Sequence, residues 1–127
     1  MTSLKRLGIW MDHSSAHLTR LTALPFETTV IKSEFTHQVK ESSITRSENL
    51  MHNKEQQLQS EYFKNLSDMI LDYDDVVIFG PTDAKIELFN ILRSDHRFSK
   101  IKIGIKPTDK MTKNEEHVFI REYFANH

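Results

Sequence analysis

Cysteine is absent from this chain, so disulfides and thiolate metal sites are excluded. Glycine is scarce: only Gly8, Gly80 and Gly104 occur. No internal repeat and no low-complexity tract interrupts the sequence. No stretch approaches the roughly 20 apolar residues of a membrane span. The segment from Met1 to Arg6 has basic residues but no apolar run behind them, so it does not read as a signal peptide. A cytoplasmic location is the resulting expectation. Excess charge is also missing. Lys and Arg total 17 against 18 Asp and Glu, a net charge of −1, which gives no bulk attraction to nucleic acid or membrane. Any such binding needs a local patch.

What is present suits one compact domain spanning 1–127, with 38% apolar and 28% charged residues. A chain of this size buries roughly two-thirds of its unfolded surface and needs no covalent staple.

Leu4 to Met11 reads as a first strand, with Leu7, Ile9 and Met11 on one face and Gly8 and Trp10 on the other. Trp10 is read as a core residue before a stacking platform. Asp12-His13-Ser14-Ser15 is a polar turn. Ala16–Ala23 and Phe26–Phe35 read as further strands, and the short connections make all three antiparallel neighbours. The segment over about 36–53 turns polar and reads as an exposed loop running into a helix that starts at Glu48 or His52 and ends near Tyr73. Val76–Phe79 is an unbroken apolar run, as a central strand covered on both faces requires.

Asp83–Ser94 is a second helix, expected to bury Ala84, Leu88, Ile91 and Leu92, with Ile86 and Phe89 widening the stripe. Lys100–Lys106 alternates Ile101, Ile103 and Ile105 inward with Lys100, Lys102 and Lys106 outward. That lysine row suits an edge strand that must resist pairing with other chains. A capping box at Thr112–Glu115 opens the last helix, whose apolar side is expected from Val118, Phe119, Tyr123 and Phe124. The order β-β-β-α-β-α-β-α, with right-handed crossovers, gives an α/β fold: a mixed five-stranded sheet in the order 3-2-1-4-5, the ribonuclease H-like arrangement.

The stretches "LGIWMDHSSAHL", "VVIFGPTDAKIELFNIL" and "IGIKPTDKMTKNEEHVFIREYF" resemble the small bacterial relatives of the middle domain of peptide-chain release factors and of Pelota, grouped as translational-machinery-component-like domains. The resemblance covers nearly the whole chain. Its most telling pieces are the turn from Gly80 to Lys85 and the helix start Asp109-Lys110-Met111-Thr112. It implies a non-enzymatic domain that binds the ribosome, RNA or a protein of that machinery. In release factors the loop after the third strand carries a Gly-Gly-Gln tip. Here 36–53 contains no glycine, so peptide release is not carried over. Pelota, whose middle domain also lacks that tip, is the closer analogue.

Four constellations remain. Gly80-Pro81-Thr82-Asp83-Ala84-Lys85 places Thr82 and Lys85 at a helix N-terminus. The arrangement reads first as plain capping and second as an anion contact. It lacks the spacing of a P-loop. Asp12, Asp83 and Asp109 form an alternative reading, a Mg²⁺- or Mn²⁺-dependent phosphoryl hydrolase of the nuclease type, set against Asp12 as a simple turn residue. The seven histidines show no zinc spacing and read mostly as solvated surface residues; no metal and no cofactor is expected. Lys40, Arg46 and Lys54, among hydroxyl side chains, are the candidate RNA contacts, with Lys32 nearby. Interleaved glutamates nearly cancel them. A self-associating protein-interaction module is the third reading. The sequence does not choose an oligomeric state.

Overall fold

The computed structural model describes residues 5–21, 27–32 and 48–126; within these, the side chains of 27 and 48–56 lie outside the description. Strands β1 (Arg6–Met11), β2 (Ser15–Leu21) and β3 (Glu27–Lys32) come first. Helix α1 (Glu48–Ile70), strand β4 (Asp75–Gly80) and helix α2 (Ala84–Arg93) follow. A 3₁₀ turn at His96–Phe98, strand β5 (Lys102–Pro107) and helix α3 (Lys113–Asn126) complete the chain. The strands form one sheet in the order β3-β2-β1-β4-β5. The β1–β2 and β2–β3 pairs are antiparallel, and β1–β4 and β4–β5 are parallel. The architecture is therefore the α/β, ribonuclease H-like one that the element order implies.

The period-2 alternation of β1 divides the core into two layers. Leu7, Ile9 and Met11 join Val76 and Ile78 on the face covered by α1 and α2. The α1 stripe there is Tyr62, Phe63, Leu66 and Ile70, and the α2 stripe is Ala84, Leu88 and Leu92. Trp10, Val77 and Phe79 point to the opposite face, where α3 presents Ile120 and Phe124. Two helices share one face because both crossovers step the same way across the sheet.

The strand interiors match the sequence reading, as do Ala84, Leu88 and Leu92 on α2 and Phe124 on α3, but the margins of both helix stripes differ. Ile86 and Ile91 are exposed on α2, while Lys85 is buried. On α3 Val118 is exposed, and Glu116 and Ile120 are buried instead. Helix α1 regularly ends at Ile70, and the chain reaches Tyr73 through single turns, with the Tyr73 amide donating to the Ile70 carbonyl at 3.0 Å. The loop expected over about 36–53 falls largely outside the described residues, and its last stretch, from Glu48, is already helix.

The capping box is present as read. The Glu115 amide donates to Thr112 Oγ1 at 3.2 Å, and the Thr112 amide donates to Glu115 Oε1 at 2.9 Å. Accepting from the Thr112 amide keeps the Glu115 carboxyl below its ordinary value.

Candidate functional site

The carboxyl ends of β1, β4 and β5 lie side by side, the edge where open α/β sheets commonly hold ligands. Asp12 follows β1, Thr82 and Asp83 follow β4, and Asp109 follows β5. The ends are laced together by backbone: the Thr108 amide donates to the Gly80 carbonyl at 3.1 Å.

Asp12 is committed to its own turn. Its Oδ1 accepts from the amides of Ser14 and Ser15, both at 2.8 Å, and from Ser14 Oγ at 2.9 Å. Partial burial pushes its carboxyl up, but the bonds from Ser15 and Ser14 outweigh it and hold the group below the usual range. Helix α1 clamps the same turn. Tyr62 Oη donates to the Asp12 carbonyl at 2.9 Å, and Gln59 Nε2 donates to the His13 carbonyl at 2.9 Å. Burial, then the nearby Asp12 charge, pushes the Tyr62 phenol well up, so it stays a neutral donor. His13 Nε2 meets the Glu87 carboxylate on α2.

Asp83 and Asp109 are exposed. Asp83 makes no side-chain cap to α2; Thr82 Oγ1 accepts from the Ala84 amide at 3.3 Å instead. Lys85 is buried and its Nζ donates to the Thr82 carbonyl. Its charge is thus turned back onto the first turn of the helix. Among the described residues no three His, Asp or Glu side chains converge as metal ligands would. Lys40 and Arg46 lie outside the described residues; Lys54 sits on α1 with its side chain outside the description.

A second polar cluster, on the opposite face, escaped the sequence reading. Glu116 of α3, only 2% exposed, meets His17 Nδ1 of β2 through both carboxylate oxygens at 3.1 Å. The His17 ring stacks on Trp10 with centroids 5.0 Å apart. Next to it, His117 Nε2 lies 3.0 Å from Thr28 Oγ1, which is 3.2 Å from Thr19 Oγ1. Two histidines read as solvated are therefore part of the α3–sheet joint. The missed signal was periodic: Glu116 precedes Ile120 by four residues and Phe124 by eight, and so sits on the buried stripe.

Burial pushes the Glu116 carboxyl up, partly offset by His17, His117 and Lys113. A carboxyl raised in the folded state contributes stability that is complete below its unfolded value, about 4.3, and is lost as pH rises through the folded value. The difference in stability between the native protein and E116Q is therefore expected to shift against the native protein as pH rises above about 4. At the acid end the two should agree within about 1 kcal/mol, because the amide still bonds His17. Urea titrations of both proteins across that range check it; a pH-independent difference contradicts the assignment.

Comparison with known proteins places the fold. No family model and no curated protein sequence matches the chain. Among solved structures, it is similar to Pelota from Thermoplasma acidophilum, with a TM-score of 0.60 and 15% identity over 93% of this chain. Pelota from Archaeoglobus fulgidus superposes with a TM-score of 0.61 and 10% identity over 95% of it. An archaeal translation termination factor gives 0.53 and 14% over 96%. The chain spans 32%, 32% and 38% of those proteins, respectively, about one domain of each. It thus has the fold of a domain found in Pelota and in an archaeal termination factor.

Proposed function

We propose that the chain is a non-enzymatic, cytoplasmic domain of the translation machinery type that binds the ribosome or its RNA through the segment over about 36–53. The observation that carries this reading is the superposition of nearly the whole chain on one domain of Pelota and of a termination factor. Lys40, Arg46 and Lys54 supply the positive charge that phosphate contact needs. Peptide release is not part of the proposal. All three glycines are used by the fold: Gly8 against Ile120, Gly80 against the Met11 carbonyl, and Gly104 against Tyr123. None is left for a mobile Gly-Gly-Gln tip.

Cosedimentation with ribosomes tests the reading. The protein should pellet with ribosomes at low salt and release as salt rises, because counterions compete for each phosphate. Replacing Lys40, Arg46 and Lys54 together with glutamate should flatten the log–log salt dependence by about two to three units if each contacts one phosphate. Absence from the ribosome pellet at every salt concentration sinks the proposal.

A further inference from the structure

The outer edge of β5 carries a surface that the ribosome-binding reading does not use. Among the described strands β5 ends the sheet, with β4 as its neighbour. The Lys102 amide donates to the Asp74 carbonyl at 3.0 Å and the Thr108 amide to Gly80 at 3.1 Å, so the even-numbered residues point their backbone groups at β4. Alternation turns the N–H and C=O of Ile103 and Ile105 outward. The Ile101 amide is taken by the Phe98 carbonyl at 3.1 Å, and Pro107 has no N–H. Among the described residues, the free donors of this edge are therefore Ile103 and Ile105.

The two sides of the edge differ. On the α2 side runs a groove of about 420 Å³, whose apolar lining comes from Phe89, Leu92, Phe98, Ile101 and Ile103. On the α3 side stand Lys102 and Lys106, both exposed, neither in an ion pair with a described residue. Arg93 lies at the groove, its guanidinium 5.6 Å from the Phe89 ring centroid. On the face that carries the two lysines, the buried Asp75 is the strand neighbour of Lys102 and offsets part of its charge, while Lys106 has the uncharged Phe79 in the corresponding place.

We propose that this edge, whose lysines deter pairing with copies of itself, takes a strand from a different protein, an extended segment alternating apolar and acidic residues. Its backbone would pair with Ile103 and Ile105, its apolar side chains would enter the groove, and its carboxylates would face Lys102 and Lys106. Strand addition of this kind draws affinity from main-chain hydrogen bonds and specificity from alternate side chains. A second copy of the chain fits poorly. Pairing β5 with itself sets lysine beside lysine. The other edge strand, β3, presents Thr28, Val30 and Lys32 on the face that carries Lys102 and Lys106. RNA has no use for the paired donor and acceptor row or the apolar groove.

The test uses the full chain labelled with ¹⁵N and synthetic peptides of about eight residues, a usual strand length. A peptide alternating valine and glutamate should shift the Ile103 and Ile105 amides and slow their exchange. The double variant Lys102→Glu, Lys106→Glu, altered only at exposed side chains, should bind it about tenfold or more weakly and gain affinity for a valine–lysine peptide. The wild type binding the valine–lysine peptide equally well would overturn the proposal, as would unprotected Ile103 and Ile105 amides at millimolar peptide. So would oligouridine shifting these amides where the acidic peptide does not, which would make the edge an RNA contact. Ribosome cosedimentation of the double variant separates this surface from the segment over 36–53.

Discussion

Gly80→Ala is expected to destabilise the protein by about 3–5 kcal/mol, the sum of backbone strain and a steric clash. Gly80 closes β4 with φ at +150°, a backbone region that side chains bearing Cβ rarely enter. A Cβ there would sit 2.2 Å from the Met11 carbonyl oxygen, an atom of the adjacent strand β1. Neither problem relaxes cheaply. The clash is with backbone, and β1 is held by partners on both sides, β2 and β4. A loss of this size is a large part of the total stability of a small domain, about 5–15 kcal/mol. Pro81→Ala, one residue on and exposed, should cost less than about 1 kcal/mol through the unfolded chain alone. Urea unfolding followed by circular dichroism measures both. Equal, small losses for the two variants would mean that the close approach of β1 and β4 is misplaced.

Gly8→Ala is expected to cost about 1–3 kcal/mol and to act on α3 alone. A Cβ on Gly8 would lie 2.4 Å from both Cγ1 and Cδ1 of Ile120, and 3.0 Å from Cγ2. Ile120 is fully buried, so its β-branched side chain has nowhere to rotate. The missing Cβ of Gly8 is the socket into which α3 docks. The partner substitution Ile120→Ala opens a cavity and should cost about 2–5 kcal/mol by itself. The double variant should be less destabilised than the two losses added, because the alanine methyl then occupies part of the vacated space. Hydrogen exchange gives the location: α3 amides should lose protection before those of α1. Strict additivity of the two losses would remove the socket from the account.

Much of the architecture was legible from local pattern. Alternation in Leu7–Met11 predicted a strand with two apolar faces, and the unbroken Val76–Phe79 run predicted a strand covered on both sides. Thr112 and Glu115 cap α3 as their spacing implied. Helix faces were less legible. In α2 apolar residues occupy more of the circumference than the sheet can cover, so periodicity placed Ala84, Leu88 and Leu92 inward but did not fix the limits of the buried stripe. The structure buries Lys85 and leaves Ile86 and Ile91 out, because the rotation of α2 is set by Ala84, Leu88 and Leu92 meeting the sheet. In α3 the same ambiguity made Val118 look internal and hid Ile120.

The candidate site was less legible still. Asp12, Asp83 and Asp109 do follow neighbouring strands, as the predicted order requires, yet Asp12 is bound to its own turn. His17 and Glu116 are 99 residues apart, and no local spacing joins them.

Residue order alone decided which segments are strands and helices and how the strands are arranged, since alternation, capping and short connections act over a few neighbouring residues. Only the folded sheet decided which polar groups would be buried together, which face of each helix would meet water, and that β5 would keep an unpaired backbone edge beside an apolar groove. Those outcomes depend on the relative placement of elements distant in the chain, and desolvation and steric contact act on that placement alone.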